Sequence, residues 1–162
     1  PASVPTAVIT GSSASRGSSR RTRSARVRSL PVATAVGTLA GAALAAPLLG
    51  GWSLTDSLAV GAGFGYYSFS SIFIADLRGP ELATIALLCN VMREIFTLLA
   101  APLVARWCGP LAAVSIGGAT TFDTTLPVIT QAAGRPYAVV SIFHGCALDF
   151  SVPFLVTFFC SI

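Results

Sequence analysis

Asn90, Arg93, Glu94 and Thr97 stand 3, 1 and 3 residues apart inside an otherwise apolar run over 82–105. On a helix these positions share one face, so the run predicts an apolar cylinder carrying a single polar stripe. A carboxylate at bilayer depth costs about 2.5–3.5 kcal/mol even on the gentler insertion scale, so the stripe must face protein or water. Glu94 is thereby a candidate for an ion or proton pathway. A structural alternative is a buried interhelical ion pair. Adjacent residues diverge by about 100° on a helix, which makes an Arg93–Glu94 pair awkward and names Asp123, on another segment, as a candidate partner for Arg93.

Asp123 lies within the string Gly117-Gly118-Ala119-Thr120-Thr121-Phe122-Asp123-Thr124-Thr125-Leu126-Pro127. The glycine pair, the proline and four threonines make a poor continuous helix and a good unwound one, because hydroxyls satisfy the freed backbone groups. Discontinuous helices at mid-membrane build transporter sites. Their half-helix ends present positive dipoles to a carboxylate, while their carbonyls and a carboxylate suit a cation. His144, the chain's single histidine, is a candidate proton relay near neutral pH or a hydrogen-bonded core residue. Asp149, five residues on, falls off that face and has no assigned role.

These residues need membrane elements to hold them. Hydrophobic residues make up 54% of the 162 and charged residues only 10%, against about 25% in soluble domains. The expected fold is an all-α integral membrane protein. Apolar runs over 30–49, 54–75, 82–105, 111–129 and 137–159 predict about five transmembrane segments, the fourth discontinuous. Gly61, Gly63 and Gly65 in the second segment read as close helix packing, not as a dinucleotide loop.

Residues 1–29, rich in Ser and Arg and free of acids, read as a disordered basic tail before a helical membrane domain at 30–162. All ten basic residues are arginine, and six of them lie in that tail. The rest of the chain holds four arginines against six acids, so a basic pI reports a juxtamembrane segment. No aromatic residue interleaves with the arginines, so anionic lipid headgroups are the expected partner and nucleic acid is not. With the tail cytoplasmic, five crossings place Arg78 and Arg135 inside, Arg106 outside and the C-terminus outside; a re-entrant fourth segment would flip the C-terminus. A rival reading of Ser19-Arg20-Arg21 and Ala43-Leu44-Ala45 is a cleaved targeting segment, and the absence of an initial Met suits a fragment.

Cys89, Cys108, Cys146 and Cys160 lack CxxC spacing, so no metal or other cofactor is expected. Ala113-Val114-Ser115-Ile116-Gly117 loosely matches a nucleophile elbow to which His144 would be the base, but alanine replaces the first glycine. No enzyme is expected.

Taken together, Gly63-Phe64-Gly65-Tyr66-Tyr67-Ser68, Asn90-x-x-Arg93-Glu94, Gly118 through Val128, His144-Gly145 and Val152-Pro153-Phe154 resemble the C-terminal half of the lysine exporter LysO family over roughly 48–162. The resemblance implies an inner-membrane exporter of L-lysine in which acids matching Glu94 and Asp123 are essential. Proton exchange through these two acids, with Asn90, Arg93, Thr120, Thr121, Thr124, Thr125 and His144 completing the site, is the resulting expectation. The N-terminal helices of a full-length exporter are replaced here by the arginine-rich tail, and Asp149 stands where a neutral residue is expected. Partners implied are lysine or a similar cationic amino acid, protons, and a complementary N-terminal half or a homo-oligomer.

Overall fold

A computed structural model describes residues 12–49 and 52–162, with side chains from residue 24 onward except residue 49. Helix α1 is Ser12–Ala45, α2 Leu54–Gly61, α3 Tyr67–Arg78, α4 Pro80–Cys108, α5 Pro110–Gly117, α6 Leu126–Ala133 and α7 Ala138–Ser161; short 3₁₀ turns cover Ala46–Leu49, Gly118–Phe122 and Arg135–Tyr137. The all-α expectation holds among the described residues.

Helix α1 begins at Ser12, so 12–29, expected as part of a disordered tail, stand as helix; 1–11 lie outside the described residues. Ala and Arg are good helix formers, and once the apolar span nucleates a helix each further residue adds a hydrogen bond. The side chains of Arg16, Arg20, Arg21 and Arg23 lie outside the described ones.

Three helices are long and apolar enough to cross a membrane: Ser24–Leu48, Pro80–Cys108 and Arg135–Ser161. The second and fourth expected segments instead enter and turn back. Arg78, the last residue of α3, donates from Nη1 to Asp56 Oδ1 at the start of α2 (3.0 Å) and from Nε to Cys160 O at the end of α7 (2.9 Å). The ends of α2 and α3 therefore share a face, with the break at 62–66 at the inner tip. On the other face, Leu111 of α5 lines a cavity with Ser24 and Arg28 of α1 and with Pro136 and Tyr137 before α7. Thus α5 and α6 form a second hairpin entering from the opposite side.

Local sequence explains the reversals. Gly79 and Gly109, at φ +97° and +94°, end one helix, and the next residue, Pro80 or Pro110, opens the following one. Ser53 caps α2 by accepting from Asp56 N (3.0 Å). The two hairpin-and-helix units, 54–108 and 110–161, then enter from opposite faces around one centre, an inverted arrangement.

The interior uses small residues so that backbones approach closely: Ala59, Ala62, Ala83, Ala86, Ala101 and Ala113 are buried. Bulky apolar side chains such as Leu99, Phe150, Phe154 and Trp107 face outward. One buried cluster joins Phe64 and Ile74 of the first hairpin to Leu148, Val152 and Val156 of α7. A second joins Val114 and Ile129 of the second hairpin to Ala101 of α4, with Leu30 of α1 against it.

This path revises the charge map. Arg106 shares the face of Arg135 and the α1 N-terminal end, whereas Arg78 sits on the other face with Asp56, Asp76 and Glu81. We expect an impermeant maleimide to modify Cys108, exposed at the end of α4, from the same side as a thiol introduced by Arg26→Cys, in a chain with Cys89, Cys146 and Cys160 changed to Ala. Labelling from opposite sides would restore five crossings.

Candidate functional site

The two hairpin tips meet at the centre of the protein. Ala119 N donates to Phe64 O (2.9 Å), joining the second tip to the first. Phe64 is fully buried and has φ +46°, the one positive value at a non-glycine among the described residues. Such a backbone persists where its surroundings over-determine it. Here Asn90 supplies part of that determination. Its Oδ1 accepts from Gly65 N (2.8 Å), and its Nδ2 donates to Ala86 O (2.8 Å) on its own helix. Gly63 leaves the room for this, since a Cβ there would lie 2.6 Å from Asn90 Nδ2.

The second tip is held by its threonines and by α4 and α7. Thr120 Oγ1 donates to Gly117 O (2.9 Å) and lies 3.3 Å from Thr125 Oγ1. Thr121 Oγ1 lies 2.8 Å from Gly118 O and 3.0 Å from Ser141 O. These hydroxyls satisfy carbonyls that the break frees, as the sequence anticipates. Gly145 lets α7 approach, because a Cβ there would sit 2.6 Å from Phe122 N.

A cavity of about 280 Å³ opens beside the tips, lined by Gly65, Tyr66, Tyr67 and Ser68 from one hairpin and by Thr120, Asp123 and Thr124 from the other. Asp123 and Thr124 are exposed within it, and the Asp123 carboxylate has no hydrogen bond or ion pair among the described residues. The first turn of α3 begins here, and it has no side-chain cap. The cavity thus combines one carboxylate with a helix N-terminus, an acceptor for a cation beside donors for an anion.

The stripe on α4 faces the protein interior: Asn90 and Thr97 are buried, Arg93 and Glu94 half-buried. Arg93 does not pair with Asp123. Its Nε donates to Ile116 O at the end of α5 (3.1 Å) and its Nη1 to Thr38 Oγ1 of α1 (3.3 Å). A guanidinium is well suited to the orphan carbonyls of a helix C-terminus, which carry its negative dipole end. The only ion pair among the described residues is Arg78–Asp56, so the intramembrane ion-pair alternative does not form. The Glu94 carboxylate has no partner among the described residues and lines neither this cavity nor the one around Arg93, Thr34, Thr38 and Ser115.

His144 is fully buried and bridges elements: Nε2 lies 3.0 Å from Thr34 Oγ1 on α1, and Nδ1 lies 3.2 Å from Thr121 Oγ1. Thr34 in turn hydrogen-bonds Ser115. Thr34 therefore intervenes between Ser115 and His144, and the pairing weighed for a hydrolase is not made.

Sequence reasoning missed Tyr66, Tyr67, Ser68, Thr34 and Thr38. The first three were within reach, because Gly61-x-Gly63-x-Gly65 followed by Tyr and Ser is the same glycine-then-polar break read correctly at Gly117-Gly118. The packing reading holds for Gly61, where a Cβ would meet Ala42 Cβ at 2.7 Å, while Gly65, at φ +100°, serves the turn.

A family model described as lysine exporter LysO matches residues 6–160, further toward the N-terminus than the 48–162 of the resemblance. A putative lysine exporter of Haemophilus influenzae is 35% identical over 108 residues, covering 67% of this chain and 55% of that protein. The lysine exporter LysO of Escherichia coli is 33% identical over 106 residues, covering 65% of this chain and 35% of its own length. The chain spans about half the length of the first relative and about a third of the second. No solved structure matches it. The chain belongs to the lysine exporter LysO family.

Proposed function

We propose that this chain carries the substrate site of an inner-membrane exporter that moves L-lysine outward in exchange for protons. The observation that carries the reading is the cavity at the meeting tips, where the Asp123 carboxylate stands beside the uncapped N-terminus of α3. An amino acid offers the complementary pair, with its ammonium for Asp123 and its α-carboxylate for the helix end. The names of the two relatives point to lysine as the amino acid.

In this reading Thr124 lines the site, while Thr120, Thr121 and Thr125 hold the broken backbone and Asn90 positions the first tip. Arg93 fixes the end of α5. Glu94, half-buried and unpaired among the described residues, takes up and releases the coupled proton, and His144 links α1 to the second tip. Separation of one tip from the other opens the cavity to one face at a time. The face of Arg26, Arg28, Arg106 and Arg135 is assigned to the cytoplasm by the positive-inside rule, which places the N-terminus inside and the C-terminus outside.

Because the relatives are longer, the test has two arms: this chain alone, and this chain with the N-terminal half of a full-length relative. Proteoliposomes are loaded with labelled lysine, and efflux is followed with and without an imposed pH gradient. Gradient-dependent efflux in either arm is expected, with acceleration when protons can enter in exchange. No lysine efflux in both arms would falsify the proposal.

A further inference from the structure

We infer that the groove between α1, α5 and α7 on the arginine-rich face is a binding site for an anionic phospholipid. Its volume is about 590 Å³, more than twice that of the tip cavity and within the range of pockets that hold drug-sized ligands. Its lining is divided by polarity. Val27, Leu111, Val140 and Phe143 supply apolar side chains, while Arg28 supplies a cation and Ser24 and Tyr137 supply hydroxyls.

That division matches a lipid. Phe143 lies about one and a half turns inside α7, at a depth for acyl chain, and Arg28 lies one turn inside the span that begins at Ser24. An arginine at this depth extends its head toward the interface, where a headgroup phosphate sits and where the planar guanidinium binds phosphate through two parallel bonds. Basic pockets between spanning helices are a known form of headgroup recognition.

Charge complementarity selects an anionic lipid over a zwitterionic one. Arg26 and Arg28 are exposed on α1, and Arg106 and Arg135 lie on the same face. The acids outside the span, Asp56, Asp76 and Glu81, are all at the opposite face, so no carboxylate there competes for these arginines. The opening at the opposite face, lined by Trp52, Asp56, Arg78 and Glu81, has its arginine already paired with Asp56. The inference is independent of the transport reading, since it concerns a groove that shares no lining residue with the tip cavity.

The test is native mass spectrometry of the full chain in detergent, titrated with phosphatidylglycerol or with phosphatidylcholine of the same acyl chains. One phosphatidylglycerol is expected to remain bound at least fivefold more tightly than phosphatidylcholine. Val140→Trp fills the groove without changing charge and is expected to abolish the difference; Leu111→Trp does so from α5, should the first variant fail to fold. Arg28→Gln is expected to weaken phosphatidylglycerol about fivefold, the share of one charge near a surface. Arg106→Gln, on the same face but outside the lining, is expected to leave the tight lipid in place. Equal retention of the two lipids would overturn the proposal, as would undiminished phosphatidylglycerol binding in both filled, folded variants.

Discussion

Gly118→Ala is expected to lower the thermal unfolding midpoint by on the order of 10 °C, whereas Gly41→Ala is expected to melt at or above the temperature of the parent chain. Gly118 has φ +62° and ψ −132°, a conformation that side-chain-bearing residues avoid at about 1–3 kcal/mol. A Cβ there would overlap Phe64 O and lie 2.9 Å from Arg93 Nη2. Relief breaks the Ala119–Phe64 hydrogen bond between the tips or drives the guanidinium off Ile116 O, and an orphaned buried group adds about 1–3 kcal/mol. At about 2–4 °C per kcal/mol for a chain of this size, the sum reaches that order. Gly41, by contrast, has nothing within 4 Å of its hypothetical Cβ and lies inside α1, where alanine is the better helix former by about 1 kcal/mol. Circular dichroism melts in one detergent compare the two directly. Equal midpoints would mean that the tips do not bear on each other.

The membrane helices were largely legible. The runs at 82–105 and 137–159 correspond to α4 and α7 within a few residues, and the polar stripe of Asn90, Arg93, Glu94 and Thr97 faces inward as its period requires. What hydropathy does not encode is direction. A hairpin that enters and returns supplies as many apolar residues as a helix that crosses, so 54–75 and 111–129 read as crossings. Non-helical backbone at that depth is tolerated because each tip is buried against the other.

The loop arginines held a signal that the five-crossing reading used incompletely. That reading leaves Arg106 alone on the outer face, an exception to the charge rule. With two hairpins, Arg106 joins Arg135 and the α1 arginines, and the remaining Arg78 is neutralised by Asp56 at 3.0 Å. The partner of Arg93 was illegible for a different reason. Its acceptor is a backbone carbonyl, Ile116 O, which exists as an open acceptor only because α5 stops at Gly117. Side-chain charge alone pointed to Asp123, the nearest acid in type and not in place.

The two intramembrane acids are expected to fail differently when neutralised, and that difference separates a substrate carboxylate from a coupling one. Asp123 lines the tip cavity, and both it and Glu94 lack partners among the described residues, so neither Asp123→Asn nor Glu94→Gln is expected to lower the melting temperature measurably. Replacing a charged acceptor of an ammonium by an amide forfeits about 1.5–3 kcal/mol, which is about 10- to 150-fold in flux at low lysine. Asp123→Asn is therefore expected to lose lysine binding and exchange together, whether or not a pH gradient is imposed. Glu94→Gln keeps the cavity intact and is expected to retain lysine–lysine exchange while losing acceleration by the gradient. The measurement is labelled-lysine exchange and gradient-driven efflux on the same proteoliposomes, with melts of each purified variant alongside. Full gradient-driven flux from Asp123→Asn would remove the carboxylate from the site, and a lowered melting temperature in both variants would return the acids to a structural role.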